Sequence, residues 1–183
     1  MWLWILIGAV VLIGLIFFVY YNRFAILSNR IDNSLSQIDV QLKRRADLIP
    51  NLIETVKGFA KHEKEAISAV TEARKALVSA KGFEKRVKAD QKLEGALGKL
   101  FAIAEGYPDL KANTNFLELQ RELSSTEDKV AYARQFYNDS ILSYNNLCTT
   151  FPGKFFAGIY GRQKKEFFAV ANASEREPVK VKF

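Results

Sequence analysis

The 183-residue sequence is poor in the side chains on which most catalytic and metal sites depend, with one histidine and one cysteine. Cys148 has no second cysteine to pair with, which excludes an internal disulfide and agrees with a reducing compartment. His62 and Glu63 begin like a zinc-protease motif, but Ala66 stands where the second histidine ligand is needed. The sequence therefore predicts no catalytic residues, no metal ligands and no cofactor.

Other chemical patterns are weak as well. The stretch "EGALGKL" lacks the spacing of a phosphate-binding loop. One predicted helix carries four carboxylates, Glu118, Glu122, Glu127 and Asp128. Cations alternate with them, as on a solvated helix face. The net charge of +7 suits an ordinary protein surface. No nucleic-acid partner is expected, because basic residues alternate with acidic ones and no known recognition fold is present.

Lysine and arginine are missing before Arg23, and residues 2–21 carry no charge at all. As a helix this stretch is about 30 Å long, which matches the hydrocarbon core of a bilayer. Its ends carry aromatic residues suited to the two interfaces, Trp2 and Trp4, then Tyr20 and Tyr21. A cleaved signal peptide would need a basic start and a small-residue cleavage site, and both are lacking. Residues 1–21 are predicted to be a transmembrane anchor.

The flanking cations predict the orientation of this anchor. None precedes the span, whereas Arg23, Arg30 and the cluster at 43–45 follow it. The positive-inside rule then places the N-terminus outside and the main domain in the cytoplasm.

Beyond Tyr21 the apolar residues recur every three or four positions, which is the period of a helical bundle and not of a strand. Turn signals interrupt the pattern at "KGF" (81–83), "GYPDLKANTN" (106–115) and "TTFPG" (149–153). Asn115 and Glu118 resemble a capping box and predict the start of the last long helix.

Pro50 lies inside this pattern without shifting its phase. Because a proline inside a helix costs about 3 kcal/mol, two arrangements stay open: one long kinked helix, or two helices with Pro50 in the first turn of the second. The helix lengths favour the second arrangement. We therefore predict an all-α protein, with an elongated up-and-down four-helix bundle over residues 22–152.

Three cations stand just before Pro50: Lys43, Arg44 and Arg45. Arg45 falls on the apolar seam itself. In a structural interpretation the three side chains cover the edge of the core, hold their charged heads in water and pair with Asp39 or Asp47. In a functional interpretation the cluster and Pro50 form a basic tip that binds an acidic partner or another copy of the chain.

Residues 153–183 are predicted to form a short aromatic and basic helix followed by a loose tail. The candidates for contact with an anionic membrane surface are Phe155, Phe156, Tyr160, Arg162, Lys164, Lys165, Phe167 and Phe168. So many large apolar side chains are not expected to remain in water, and their mixture with cations is typical of helices that lie on membranes. Packing along the bundle is the alternative.

Several stretches, taken in order, resemble the LemA family: "DVQLKRRADLIPNL", "TVKGFAKHE", "YPDLKAN", "FLELQRELSSTEDKVAYARQFYN" and "YNNLCTTFPG". The resemblance covers nearly the whole chain and implies a bacterial, membrane-anchored four-helix bundle without an established catalytic activity. It also implies a context, since a relative acts in forming magnetosome membranes and members are often encoded near membrane metalloproteases.

The expected function is that of a non-enzymatic scaffold or adaptor at the bacterial inner membrane, acting through protein contacts and self-assembly. The expected partners are the lipid bilayer, further copies of the chain and a membrane protein such as a metalloprotease. The alternative is a membrane-shaping protein that tiles the bilayer surface.

Overall fold

In a computed structural model of the protein, residues 1–167 are described, and they form helices and turns with no strand among them. The helices are α1 (Trp2–Phe59), α2 (Lys64–Ser79), α3 (Phe83–Ala104), α4 (Pro108–Lys111), α5 (Thr114–Thr149) and α6 (Gly153–Ile159). The predicted all-α class is confirmed.

The chain packs as two compact units. The first contains Met1–Ser36 and the described residues from Ala133 onward, and the second contains Gln37–Tyr132. Helices α1 and α5 are each divided between the two units. Helices α2, α3 and α4 belong to the second unit, and α6 belongs to the first.

The core of the first unit is rich in aromatic residues. Its buried members are Phe24, Ile31, Ile141, Tyr144, Leu147, Cys148, Phe156 and Ala157. The rings of Phe24 and Tyr144 meet edge to face at 5.9 Å, a favourable geometry for two aromatic rings. At the start of α6, a Cβ on Gly153 would lie 2.2 Å from the carbonyl oxygen of Leu147. Only glycine therefore allows α6 to begin this close to α5.

The core of the second unit follows the predicted spacing of three and four residues. Its buried members include Ile38, Leu42, Ile49, Leu52, Val56, Val70, Leu77, Val87, Leu93, Leu97, Leu100, Leu123 and Val130. Each of the helices α1, α2, α3 and α5 therefore has a buried apolar face in this unit.

The favoured break at Pro50 is wrong, because α1 continues through Pro50 to Phe59. The single-helix alternative is the correct one, and the chain leaves the helix only at residues 60–63. Proline has no N–H to donate to the carbonyl of Ala46, four residues earlier. The structure supplies a substitute, because Nε of Arg74 on α2 donates a hydrogen bond to that carbonyl at 2.8 Å. The long helix therefore tolerates Pro50 with help from its neighbour.

Two further boundaries test the sequence patterns. The predicted cap at Asn115 is wrong: α5 begins at Thr114, and Oδ1 of Asn113 accepts a hydrogen bond of 3.0 Å from the backbone N–H of Phe116. A capping side chain must precede the N–H that it binds by two or three residues, and Asn113 satisfies this for the buried Phe116. The predicted break at 81–83 is confirmed, since Gly82 precedes α3 with a φ of 88° that favours glycine.

The substitution of Arg74→Met should destabilise the second unit by about 1–2 kcal/mol, because the Ala46 carbonyl loses its donor while the aliphatic stem remains. In a Pro50→Ala background the new backbone N–H can donate to the same carbonyl, so Arg74→Met should cost much less. Guanidinium unfolding of the four proteins in detergent, followed by circular dichroism, measures this difference. An equal cost in both backgrounds would contradict the compensation.

Candidate functional site

A buried ion-pair network occupies the place where the sequence predicted a basic cluster. Arg45 is 2% exposed, and its Nη1 donates to Oδ1 of Asp90 at 3.0 Å while its Nη2 donates to Oε2 of Glu127 at 3.2 Å. Asp90 is buried as well, whereas the side chain of Glu127 is half exposed. The network joins α1, α3 and α5 through one guanidinium, so it fixes these three stretches of the second unit against one another.

The other two cations of the cluster differ from Arg45. Arg44 forms an exposed ion pair of 2.6 Å with Glu122 on α5, and Lys43 is exposed. The predicted acidic neighbours are not the partners in these pairs, because Asp39 pairs instead with Arg86 at 2.5 Å. The structural interpretation expected the guanidinium of Arg45 to remain in water. That expectation is wrong, because the side chain is buried. The partner-binding role of Arg45 and those of Lys43, Arg44 and the exposed Pro50 stay predictions.

The sequence analysis missed Asp90 as the partner of Arg45. A signal for it exists, because Asp90 stands three residues from Val87 and three from Leu93, both of which are buried. It is thus a charged residue on an apolar seam, as Arg45 is. Two opposite charges on seam positions of different helices indicate a pair that neutralises itself inside the core.

An open groove lies between α1 and α2 in the second unit, next to Lys43. It encloses about 410 Å³, and its apolar lining includes Val40 and Leu42 of α1 and Leu77 and Val78 of α2. Val40 and Val78 are more than half exposed. Its rim carries charges of both signs: Asp39, Lys43, Asp47, Arg74 and Arg86. We call this feature the α1/α2 groove.

In the first unit, α6 packs one aromatic face onto α1. The ring of Phe156 stacks on Tyr20 at 4.4 Å and meets Phe17 edge to face at 5.0 Å. The hydroxyl of Tyr160 donates a hydrogen bond of 2.7 Å to the backbone carbonyl of Phe17. Phe17 and Tyr20 belong to the predicted transmembrane stretch, so α6 is attached to the end of that stretch.

The opposite face of α6 and the residues around it remain exposed. Phe151, Phe155, Ile159 and Phe167 each expose half or more of their surface. Lys164 is exposed and Arg162 is half-buried, while Lys165 places its Nζ 5.4 Å from the centre of the Tyr144 ring. Phe168 lies outside the described residues. The predicted membrane-surface residues thus divide into a packed group, with Phe156 and Tyr160, and an exposed group, with Phe155 and Phe167.

Most of the charge-free N-terminal stretch has no protein cover within the described chain, apart from the contacts of Phe17 and Tyr20 with α6. In the part of the structure that is described, α1 is the one helix long and apolar enough to cross a membrane. Trp2 and Trp4 are almost fully exposed, and Tyr21 is half exposed. Such a continuous apolar surface is not stable in water. One N-terminal apolar helix of this kind is consistent with a membrane anchor.

The two side chains with potential for nucleophilic or metal chemistry are placed apart from any cluster. Cys148 is buried, and this burial raises the pKa of its thiol, which keeps it protonated at neutral pH and poorly nucleophilic. His62 is exposed in the turn after α1. Among residues 1–167 there is no group of three histidine, cysteine or acidic side chains arranged to hold a metal ion.

Removing the charge of the buried Asp90 should lower the free energy of unfolding far more than removing the charge of the half-exposed Glu127. We expect Asp90→Asn to destabilise the second unit by about 3–5 kcal/mol, because the buried guanidinium then has only the half-exposed Glu127 to compensate its charge. The control Glu127→Gln should cost less than about 1 kcal/mol, because water screens that pair. Chemical unfolding in detergent measures both. Equal costs would mean that the pair of Arg45 with Asp90 does not hold the core together.

Known proteins with similar sequences agree with the resemblance read from the motifs. Residues 34–183 match the sequence profile of the LemA family. Protein LemA of Metamycoplasma hominis is 31% identical over 175 residues, which cover 92% of this chain and 78% of that protein. Magnetosome protein MamQ of Magnetospirillum gryphiswaldense is 28% identical over 174 residues, which cover 81% of this chain and 64% of MamQ. This chain therefore spans less than two thirds of the length of MamQ, and on the family match it belongs to the LemA family.

Proposed function

We propose that this protein is a non-enzymatic, membrane-anchored helical scaffold that acts through protein contacts, and that it assembles with further copies of itself. The observation that carries the proposal is the α1/α2 groove, where Val40 and Val78 expose more than half of their surface. The family match and the names of the relatives support a membrane-associated protein without catalytic function.

The proposed arrangement follows the sequence. Residues 1–21 cross the bacterial inner membrane once with the N-terminus outside, and residues 22–152 form a cytoplasmic helical bundle. The absence of cations before the span and their abundance after it support this orientation.

A second copy of the chain is the occupant that we propose for the α1/α2 groove. A two-fold contact brings the same patch of both copies together, so the patch must be complementary to itself. The groove meets this requirement, because its apolar centre is rimmed by acids and bases together. Lys43 and Asp47 are both exposed on α1 and four residues apart. In a two-fold contact Lys43 of one copy then faces Asp47 of the other.

Charge reversal tests this contact in the full-length protein. Lys43→Glu alone and Asp47→Lys alone should each weaken self-association by about tenfold or more, because like charges then meet twice across the two-fold axis. A mixture of the two variants should associate normally, since both cross-contacts in the mixed dimer join opposite charges. Energy transfer between differently labelled copies in proteoliposomes measures all three cases.

The matched control for the charge reversal is Lys92→Glu, an exposed position on α3 outside the groove, which should leave association unchanged. Failure of the mixture to recover association would rule out the two-fold contact. A photo-crosslinker at Val78 that joins the chain to a different protein in intact membranes would favour the other proposed partner, a membrane protein such as a metalloprotease.

A second candidate function is the organisation of the membrane itself, with many copies covering the bilayer surface. The observation that favours it is α6, which is attached to the end of the predicted span and exposes Phe155 and Ile159 on its other face. A helix with exposed aromatic and basic residues at this level suits the membrane interface. The similarity to a magnetosome protein is in keeping with such a role.

A tryptophan probe tests whether α6 contacts lipid. In full-length protein with Trp2 and Trp4 replaced by Phe, the variant Phe155→Trp should emit at shorter wavelength and be quenched by lipids brominated near the headgroup. Tyr132→Trp, an exposed position in the second unit, is the control and should not be quenched. Equal quenching of both probes, or of neither, would contradict a specific contact between α6 and the bilayer.

A further inference from the structure

A second groove lies where the predicted span ends, and it has the composition of a lipid site. It encloses about 610 Å³ along α1, with Phe18 and Val19 at its apolar end, Arg23 and Arg30 beyond them, and Ile26 between the two arginines. Ser143 of α5 contributes to its wall. All these residues belong to the first unit. We call this feature the juxtamembrane groove.

The two arginines share one face of α1. They are seven residues apart, which is close to two full helical turns, so their side chains leave the helix in nearly the same direction. Both are exposed, and within the described part of the chain neither forms an ion pair with a carboxylate. Two guanidinium groups that face the same groove without an acidic partner favour an anion between them.

The groove begins inside the headgroup layer at Arg23 and ends beyond it at Arg30. With a rise of 1.5 Å per residue, Arg23 stands about 3 Å and Arg30 about 13 Å beyond Tyr21 along the helix axis. The headgroup region adds roughly 5–7 Å to the hydrocarbon core on each side. Helical side chains tilt toward the N-terminus of their helix, which here means toward the membrane. Arg30 therefore extends its side chain toward the headgroup layer from outside it. A phosphate midway between the two arginines lies about 5 Å along the axis from each Cα, a distance that a long arginine side chain can span.

We propose that the juxtamembrane groove binds one anionic phospholipid. The guanidinium groups of Arg23 and Arg30 hold its phosphate, and its acyl chains run along Phe18 and Val19, whose side chains are exposed. The forked geometry of arginine suits this role, because it offers two parallel hydrogen bonds to phosphate oxygens. The site requires that residues 2–21 cross a bilayer, but it does not depend on the self-association proposed for the α1/α2 groove.

The experiment uses the full-length protein in nanodiscs that contain phosphatidylcholine with a minor fraction of spin-labelled lipid. The relative association of labelled phosphatidylglycerol over labelled phosphatidylcholine should be high for the original protein. It should fall by about tenfold for each arginine replaced by Gln, since each substitution removes a charge-assisted hydrogen bond to the bound phosphate. The conservative variant with Arg23→Lys and Arg30→Lys keeps the charge but not the fork, and should retain only part of the preference.

Two controls separate a built site from general attraction to a charged surface. Lys154→Gln removes an exposed cation of α6 that lies outside the groove, and it should change the preference little. Unchanged far-ultraviolet circular dichroism of each variant shows that the helices persist. The proposal is overturned if the double Gln variant keeps the preference of the original protein, or if Lys154→Gln lowers it as much as the two arginine substitutions do.

Discussion

The charge-free stretch at the start of α1 is the constraint on which the first unit depends. Most of its apolar side chains find no cover within the described chain, which is consistent with a membrane anchor. The contacts of α6 with Phe17 and Tyr20 place this second helix at the C-terminal end of the same stretch. Arg23 and Arg30 follow within three turns, and we propose that they bind a lipid phosphate.

The second unit depends on charges that its own core neutralises. A guanidinium inside an apolar core is tolerated only when its charge is compensated. Asp90 and Glu127 supply the opposite charges and accept hydrogen bonds from the two terminal nitrogens of Arg45, while its buried Nε has no partner among the described residues. Arg74 compensates a different defect, the carbonyl left without a donor by Pro50. Both contacts tie α1 to its neighbours by directed polar bonds. Such bonds fix the register of one helix against another more strictly than apolar packing does, because apolar side chains can also pack when the helices are shifted.

The two proposed contact surfaces differ in what they can recognise. The α1/α2 groove combines an apolar centre with charges of both signs, which suits a protein surface and in particular a copy of itself. The juxtamembrane groove combines apolar and uncharged polar residues with two cations and no acid, which suits an anionic lipid. A scaffold that binds other copies with one surface and lipid with the other can couple its assembly to the composition of the membrane.

The sequence by itself determined the all-α class, the apolar N-terminal stretch, the inward faces of the helices and the family, because hydrophobic spacing and motif order are local properties. It even placed Arg45 on the seam. Only the tertiary structure decided that α1 runs through Pro50, that Asp90 pairs with Arg45, and that α6 divides its aromatic residues between α1 and the exterior. Each of these depends on a partner distant in sequence, such as Arg74 for the carbonyl of Ala46. Helical periodicity predicts which face of a helix is buried, but it does not predict which residue of another helix packs against that face.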